Sequence, residues 1–248
     1  MSDREKDAAD LAALEEQAPL LAARVAEQLN QDPFWQGRLD ASGQPLAEAV
    51  ALSHLLSLRE ALEAGEPARF TAHFRGVRPA LLDRGLSTRH LVDHLERLAE
   101  ALKDGPLGDR AAKVLRLGMA GLDRETAQAQ ALEKVAQAAA RLTLETLDAS
   151  LPGWQQGWTD APGPTPGELA REWTAFVVDA VERSRDEVLV GYFRWLSGHL
   201  AQRGHPARLA QDIRGALRYG FSAQQEAGVP AVEVLDAAES SATPPRAQ

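Results

Sequence analysis

A chain of 248 residues, 44% hydrophobic and 25% charged, has the composition of a globular protein and the length of one large domain or two ordinary ones. Its net charge of −9 argues against nucleic-acid binding, which needs a concentrated basic surface, whereas Arg here is scattered among more numerous acids. The absence of cysteine excludes disulfides, thiolate metal sites and cysteine nucleophiles, and agrees with a reducing compartment.

Ala and Leu dominate and aromatics make up only 5%, a bias toward closely packed helices, because Ala and Leu lose little entropy in a helix. The opening residues Met1-Ser2-Asp3-Arg4-Glu5-Lys6-Asp7 are charged and carry no signal-peptide core. No stretch approaches the roughly 18 apolar residues of a membrane span. The expectation is a cytoplasmic protein with no membrane partner. Basic charge is almost all Arg, with lysines only at Lys6, Lys103, Lys113 and Lys134; together with high Ala and Gly this reads as GC-rich bacterial coding.

In chain order, the first predicted helix runs from Ala8 to Leu29 and stops before Asp32-Pro33. A loop follows with Trp35 and the turn Asp40-Ala41-Ser42-Gly43. The second helix spans Leu46 to Ala64, and Gly65-Glu66-Pro67 ends it and opens the third. The third ends at Arg84-Gly85, with Gly85 in the usual C′ role. Ser87 is the expected N-cap of a fourth helix reaching Lys103, whose Leu91, Leu95, Leu98 and Leu102 form an amphipathic stripe. A fifth helix covers Leu107 to Gly121.

The series then repeats. Gln36-Gly37-Arg38-Leu39-Asp40-Ala41-Ser42-Gly43 lies over Gln156-Gly157-Trp158-Thr159-Asp160-Ala161-Pro162-Gly163 at an offset of 120. At 119, Ala61 meets Ala180, Phe74-Arg75 meets Phe193-Arg194, Arg84-Gly85 meets Arg203-Gly204 and Leu98 meets Leu217. At 120 again, Ala111, Val114 and Leu115 meet Ala231, Val234 and Leu235. The second set of helices is therefore placed at Arg124–Ala149, Pro166–Arg183, a third ending at Arg203-Gly204, Pro206–Phe221 and Ala231–Glu239. The fold class read from this is all-α: two tandem copies of a roughly five-helix unit, 1–122 and 123–240, joined by a long helix through the Ala- and Gln-rich segment 127–140, with a disordered tail at 241–248.

Candidate chemistry rests on four histidines. His54 and His73 lie on apolar helices, where each is either a core histidine or the axial ligand of a tetrapyrrole. His90 and His94 stand four apart on one helix, near enough to share a metal, but the H-E-x-x-H signature fails because residue 91 is Leu. Packing or a helix-face position is the plainer account of that pair. At offset 119 the four positions carry Trp173, Tyr192, Leu209 and Ile213. Trp154 and Trp158 either line a pocket or plug the base of a bundle, the second being the ordinary use of large aromatics. Arg75, Arg78, Arg84 and Arg89 are the one sequence-local basic run. Nucleophile-elbow, P-loop, dinucleotide and di-iron motifs do not occur, so no catalytic residue is assigned and no cofactor is required.

His54-Leu55, Ala61-Leu62, Gly65-Glu66-Pro67, Phe70 and Leu81-Leu82-Asp83-Arg84-Gly85 together resemble the helical N-terminal domain found ahead of cobalamin-binding modules in bacterial regulators. More loosely, they are similar to the globin-like N-terminal domains of stressosome co-antagonist proteins. The second copy supplies Tyr192, Trp195 and Arg203-Gly204 but lacks the His and the Gly-acidic-Pro. The resemblance implies a sensory or docking domain, doubled and detached from an effector. The functional expectation is a non-enzymatic regulatory or protein-interaction protein with a protein partner or a second copy of itself. The alternative is a sensor that holds a small apolar or tetrapyrrole ligand between helices, with His54 and His73 as its ligands.

Overall fold

The computed structural model describes residues 2–31, 44–82, 86–105, 107–120, 122–156, 165–202, 204–206 and 208–242. Trp35, Trp158, Arg84-Gly85, Arg203, nearly all of the two Q-G-x-x-D-A-x-G segments and the tail from 243 onward lie outside these residues. The regular secondary structure of the described residues is all helical, with no strand among them. No helix among them is long and apolar enough to cross a membrane. The chain divides into two compact units, Met1–Asp123 and Arg124–Gln248.

The first unit contains α1 (Asp3–Gln31), α2 (Gln44–Ala64), α3 (Pro67–Leu82), α4 (Thr88–Leu102) and α5 (Gly108–Ala120). In α1, Leu14, Ala18, Ala22, Val25 and Leu29 recur at helical spacing and are all buried. They face α2, which buries Ala47, Ala51, Leu55, Leu58 and Leu62. Small alanines on both sides permit close approach of the two helices. The leucine stripe of α4 is buried as a set. Helix α1 packs on α2 and α4, and α5 packs on α2, α3 and α4; α2 also meets α3, and α3 meets α4.

The second unit contains α6 (Ala127–Ser150), α7 (Pro166–Arg183), α8 (Glu187–Gln202), α9 (Leu209–Ser222) and α10 (Val229–Ala242). A 3-10 turn at Gln225–Gly228, not foreseen from the sequence, precedes α10. Helix α6 packs on α7 and α9, and α10 packs on α7, α8 and α9; α7 meets α8, and α8 meets α9. Thr165 and Glu168 form a reciprocal capping box ahead of Pro166, which explains the sharp start of α7.

Helix ends close in the same way in each unit. Below α2, the amides of Gly65 and Glu66 donate to the carbonyls of Leu62 and Ala61, and Gly65 has φ +67°. Below α7, the amides of Ser184 and Arg185 donate to the carbonyls of Val181 and Ala180, and Ser184 has φ +51°. After α3 the Leu86 amide donates to the Leu81 carbonyl, and after α8 the His205 amide donates to the Leu200 carbonyl.

The expected continuous helix through the joint of the units is not formed. Helix α5 ends at Ala120, residues 122–126 are non-helical, and α6 starts at Ala127. The Ala- and Gln-rich segment is helical as expected, but its helix starts at Ala127 because local chemistry stops it from extending back to α5. The Thr126 hydroxyl accepts the Ala129 amide as an N-cap, and the Arg124 side chain is drawn to Asp179 and Glu182. At the other end α10 runs through Ser241 and Ala242, two residues of the segment expected to be disordered.

Candidate functional site

Three consecutive helices of the first unit each turn a histidine toward the core, two of them fully buried, at positions beside the apolar stripe. In α2, His54 lies one turn from Ala51 and Leu58; in α4, His94 lies one turn from Leu91 and Leu98; in α3, His73 sits between Phe70 and Phe74. The helical phase that buries the leucines therefore carries the imidazoles inward with them.

The three rings meet. Nδ1 of His54 is 3.0 Å from Nε2 of His73. The ring centroids of His54 and His94 are 5.0 Å apart, and those of His54 and His73 are 5.2 Å apart, both edge-on. Phe74 lies against His54 at 4.4 Å, and Phe70 packs on Phe74 at 4.8 Å. His54 and His94 are 1% and 2% exposed, whereas His73 is half-buried, so the chain of rings runs from the core toward solvent. Nε2 of His54 is buried with no hydrogen-bond partner among the described residues.

All three groups resist protonation. Burial pushes His54 well below the usual imidazole value of 6.5, and the neighbouring His94 and His73 add to the effect. Burial lowers His73 too, opposed by Glu60 on α2. His94 is brought down to about 4 by burial, with Asp93 pulling it back up and Arg97 pushing it further down. The cluster is a set of imidazoles in an apolar setting, with one ring N–H shared between His54 and His73 and burial opposing charge on all three.

The sequence-singled histidines are thus regrouped. His54 and His73 touch, and they are joined by His94 rather than by a separate ligand. His90 takes another role: its Nδ1 accepts the Ser87 amide at 3.1 Å, tying the first turn of α4 together. His90 and His94 border a void of about 10 Å³ closed by Leu29, Val50, Leu86 and Leu91, space for about one water. Among the described residues, no group of three or more His, Asp or Glu side chains is arranged to hold a metal ion. Neither this void nor the larger cleft in the second unit is lined by His54 or His73. The missed signal was phase: a histidine at a stripe position in each of three successive helices.

The other candidates settle into packing. Trp154 is buried against Trp173 at 5.9 Å, and its indole N–H donates to Asp148. Within the basic run, Arg78 turns inward and donates to the Thr88 hydroxyl at 2.8 Å, while Arg75 and Arg89 are exposed. Sequence reading also passed over Arg124, a buried cation of the second unit ion-paired to Asp179, Glu182 and Glu133.

No protein-family model, curated protein or solved structure matches this chain.

Proposed function

We propose that this chain is a non-enzymatic regulatory or protein-interaction protein built from two copies of one helical module, with the first module as its responsive part. The observation that carries this reading is the histidine cluster set beside its counterparts. At offset 119, His54, His73 and His94 correspond to Trp173, Tyr192 and Ile213, buried on the second, third and fourth helices of the other unit. Helix pairings and helix-end hydrogen bonds that recur pair for pair support the correspondence. In this reading the module folds with hydrophobes at these places, and three imidazoles, two of them fully buried, weaken it whenever they take up charge. A core that is conditionally stable fits a protein whose task is to change state rather than to turn over a substrate.

A ligand held by His54 or His73 gains no support from the packing, since His73, His94 and Phe74 close around the His54 ring. The partner in this reading is another protein or a second copy of the chain. Light scattering on the untagged protein between about pH 8 and about pH 5 tests it, alongside His94→Ile, which copies the second unit. The expected result is a change of association state on acidification that His94→Ile suppresses. A chain that stays monomeric, with no difference between wild type and variant, would defeat the proposal.

A further inference from the structure

Helices α8, α9 and α10 leave between them a cleft of about 310 Å³, at the lower end of the volumes that hold small ligands. Phe193 and Ala210, both buried, give it an apolar wall. Arg194, Ser197, Gln211 and Arg214 bring two guanidiniums, a hydroxyl and an amide to the same space. Arg214 is largely buried and is held by Glu239 of α10 at 2.9 Å. Arg194 is exposed and has no ion-pair partner among the described residues. The lining carries two cations and no carboxylate. With the neighbouring Glu239 and the Arg218–Asp236 pair counted, three cations stand against two carboxylates, an excess of positive charge beside an aromatic ring.

The first unit shows why the cleft exists. At offset 119, Ser197 and Ala210 correspond to Arg78 and Leu91, both buried there. Shortening those two side chains removes the volume that would otherwise fill the space. The residue that corresponds to Arg214 is Leu95, fully buried, so the second unit also gains a cation where the first has a core leucine.

We propose that this cleft binds a small organic acid with an apolar body, its carboxylate held by Arg194 and Arg214 and its body laid on Phe193. Planar guanidiniums suit a carboxylate, and Gln211 and Ser197 are placed to complete its hydrogen bonding. The site stands on the geometry of the second unit and is independent of the histidine cluster.

Calorimetric titration of the full chain with 2-naphthoate, and with 2-naphthamide as its uncharged counterpart, is the test. The acid is expected to bind saturably and the amide at least about tenfold more weakly, the scale of a lost charge-assisted hydrogen bond. Arg194→Gln, at an exposed position, should weaken the acid by about tenfold, and Ala210→Leu, which restores the bulk of the first unit, should abolish binding, both with unchanged circular dichroism. No saturable binding of the acid, equal affinity for the amide, or undiminished binding by Arg194→Gln would overturn the proposal.

Discussion

His54 and His73, nineteen residues apart on neighbouring helices, share a single hydrogen bond of 3.0 Å between Nδ1 of the first and Nε2 of the second. One ring must donate and the other accept, so the contact is satisfied while both are neutral and broken when both are protonated. His94 also lies edge-on against His54, so the central ring faces two further imidazoles.

Acid is therefore expected to weaken the first unit. Each histidine has a folded-state value below its unfolded value, so above about pH 6.5 both states are neutral and the cluster contributes no pH dependence. As pH falls below that point the unfolded chain binds protons that the folded chain refuses, and stability is lost until the folded value is reached. For His94, with a folded value of about 4, the loss between about pH 7 and about pH 5 is on the order of 2 kcal/mol. Urea unfolding followed by circular dichroism at the two pH values measures it. His94→Ile should reduce the dependence by about that amount while His54 and His73 keep the remainder, and an unchanged slope in that variant would assign the acid sensitivity elsewhere.

In the second unit, Arg124 is a buried cation among three carboxylates. Its side chain is 7% exposed and those of Asp179 and Glu182 are each 1% exposed. Burial works against its charge, but the carboxylates of Asp179 and Glu133 outweigh that and hold it firmly protonated. Arg124→Met leaves buried carboxylates without their cation and should cost about 3–5 kcal/mol. Tryptophan fluorescence is a suitable probe, since Trp154, Trp158, Trp173 and Trp195 belong to this unit and only Trp35 to the other. A loss below about 1 kcal/mol would mean that the surrounding groups relax to water.

Helix starts and stops were largely legible in the sequence because their causes are local. Pro166 begins α7 and Gly65 ends α2, and each acts through a backbone property that does not depend on the rest of the fold. What depended on distant partners was not legible. His94 pairs by sequence with His90, yet its ring packs against that of His54, reaching across the core from α4 to α2. Arg124 reads as one more surface arginine until Asp179 and Glu182, more than fifty residues away, close on it. The break after Ala120 turns on a single N-cap at Thr126, which average helix propensity does not register.

Ser184 and Gly65 occupy the same step in the helix-ending hydrogen bonds of their units, and both have positive φ. A left-handed backbone costs a residue with a Cβ about 1 kcal/mol, which glycine avoids. Ser184→Gly is therefore expected to raise the stability of the second unit by up to about 1 kcal/mol, and Gly65→Ser to lower that of the first by a similar amount. Thermal unfolding of both variants checks the pair. Opposite shifts are expected, and a destabilised Ser184→Gly would show that the serine side chain contributes more than its backbone strain removes.

Two glycines on α9 separate close packing from helix propensity. A Cβ on Gly220 would lie 2.6 Å from the Ala139 carbonyl oxygen and 2.8 Å from the Thr143 hydroxyl, both on α6. Backbone cannot yield as a flexible side chain does, so Gly220→Ala should push α9 off α6 and cost about 1–3 kcal/mol. Gly215, on the same helix, has nothing within 4 Å of the equivalent point. Gly215→Ala should instead stabilise by up to about 1 kcal/mol, since alanine restricts the unfolded chain and favours the helix. Measured together by urea unfolding, the two substitutions must move in opposite directions if α6 and α9 meet backbone to backbone at Gly220; a neutral Gly220→Ala would place the helices further apart than this contact requires.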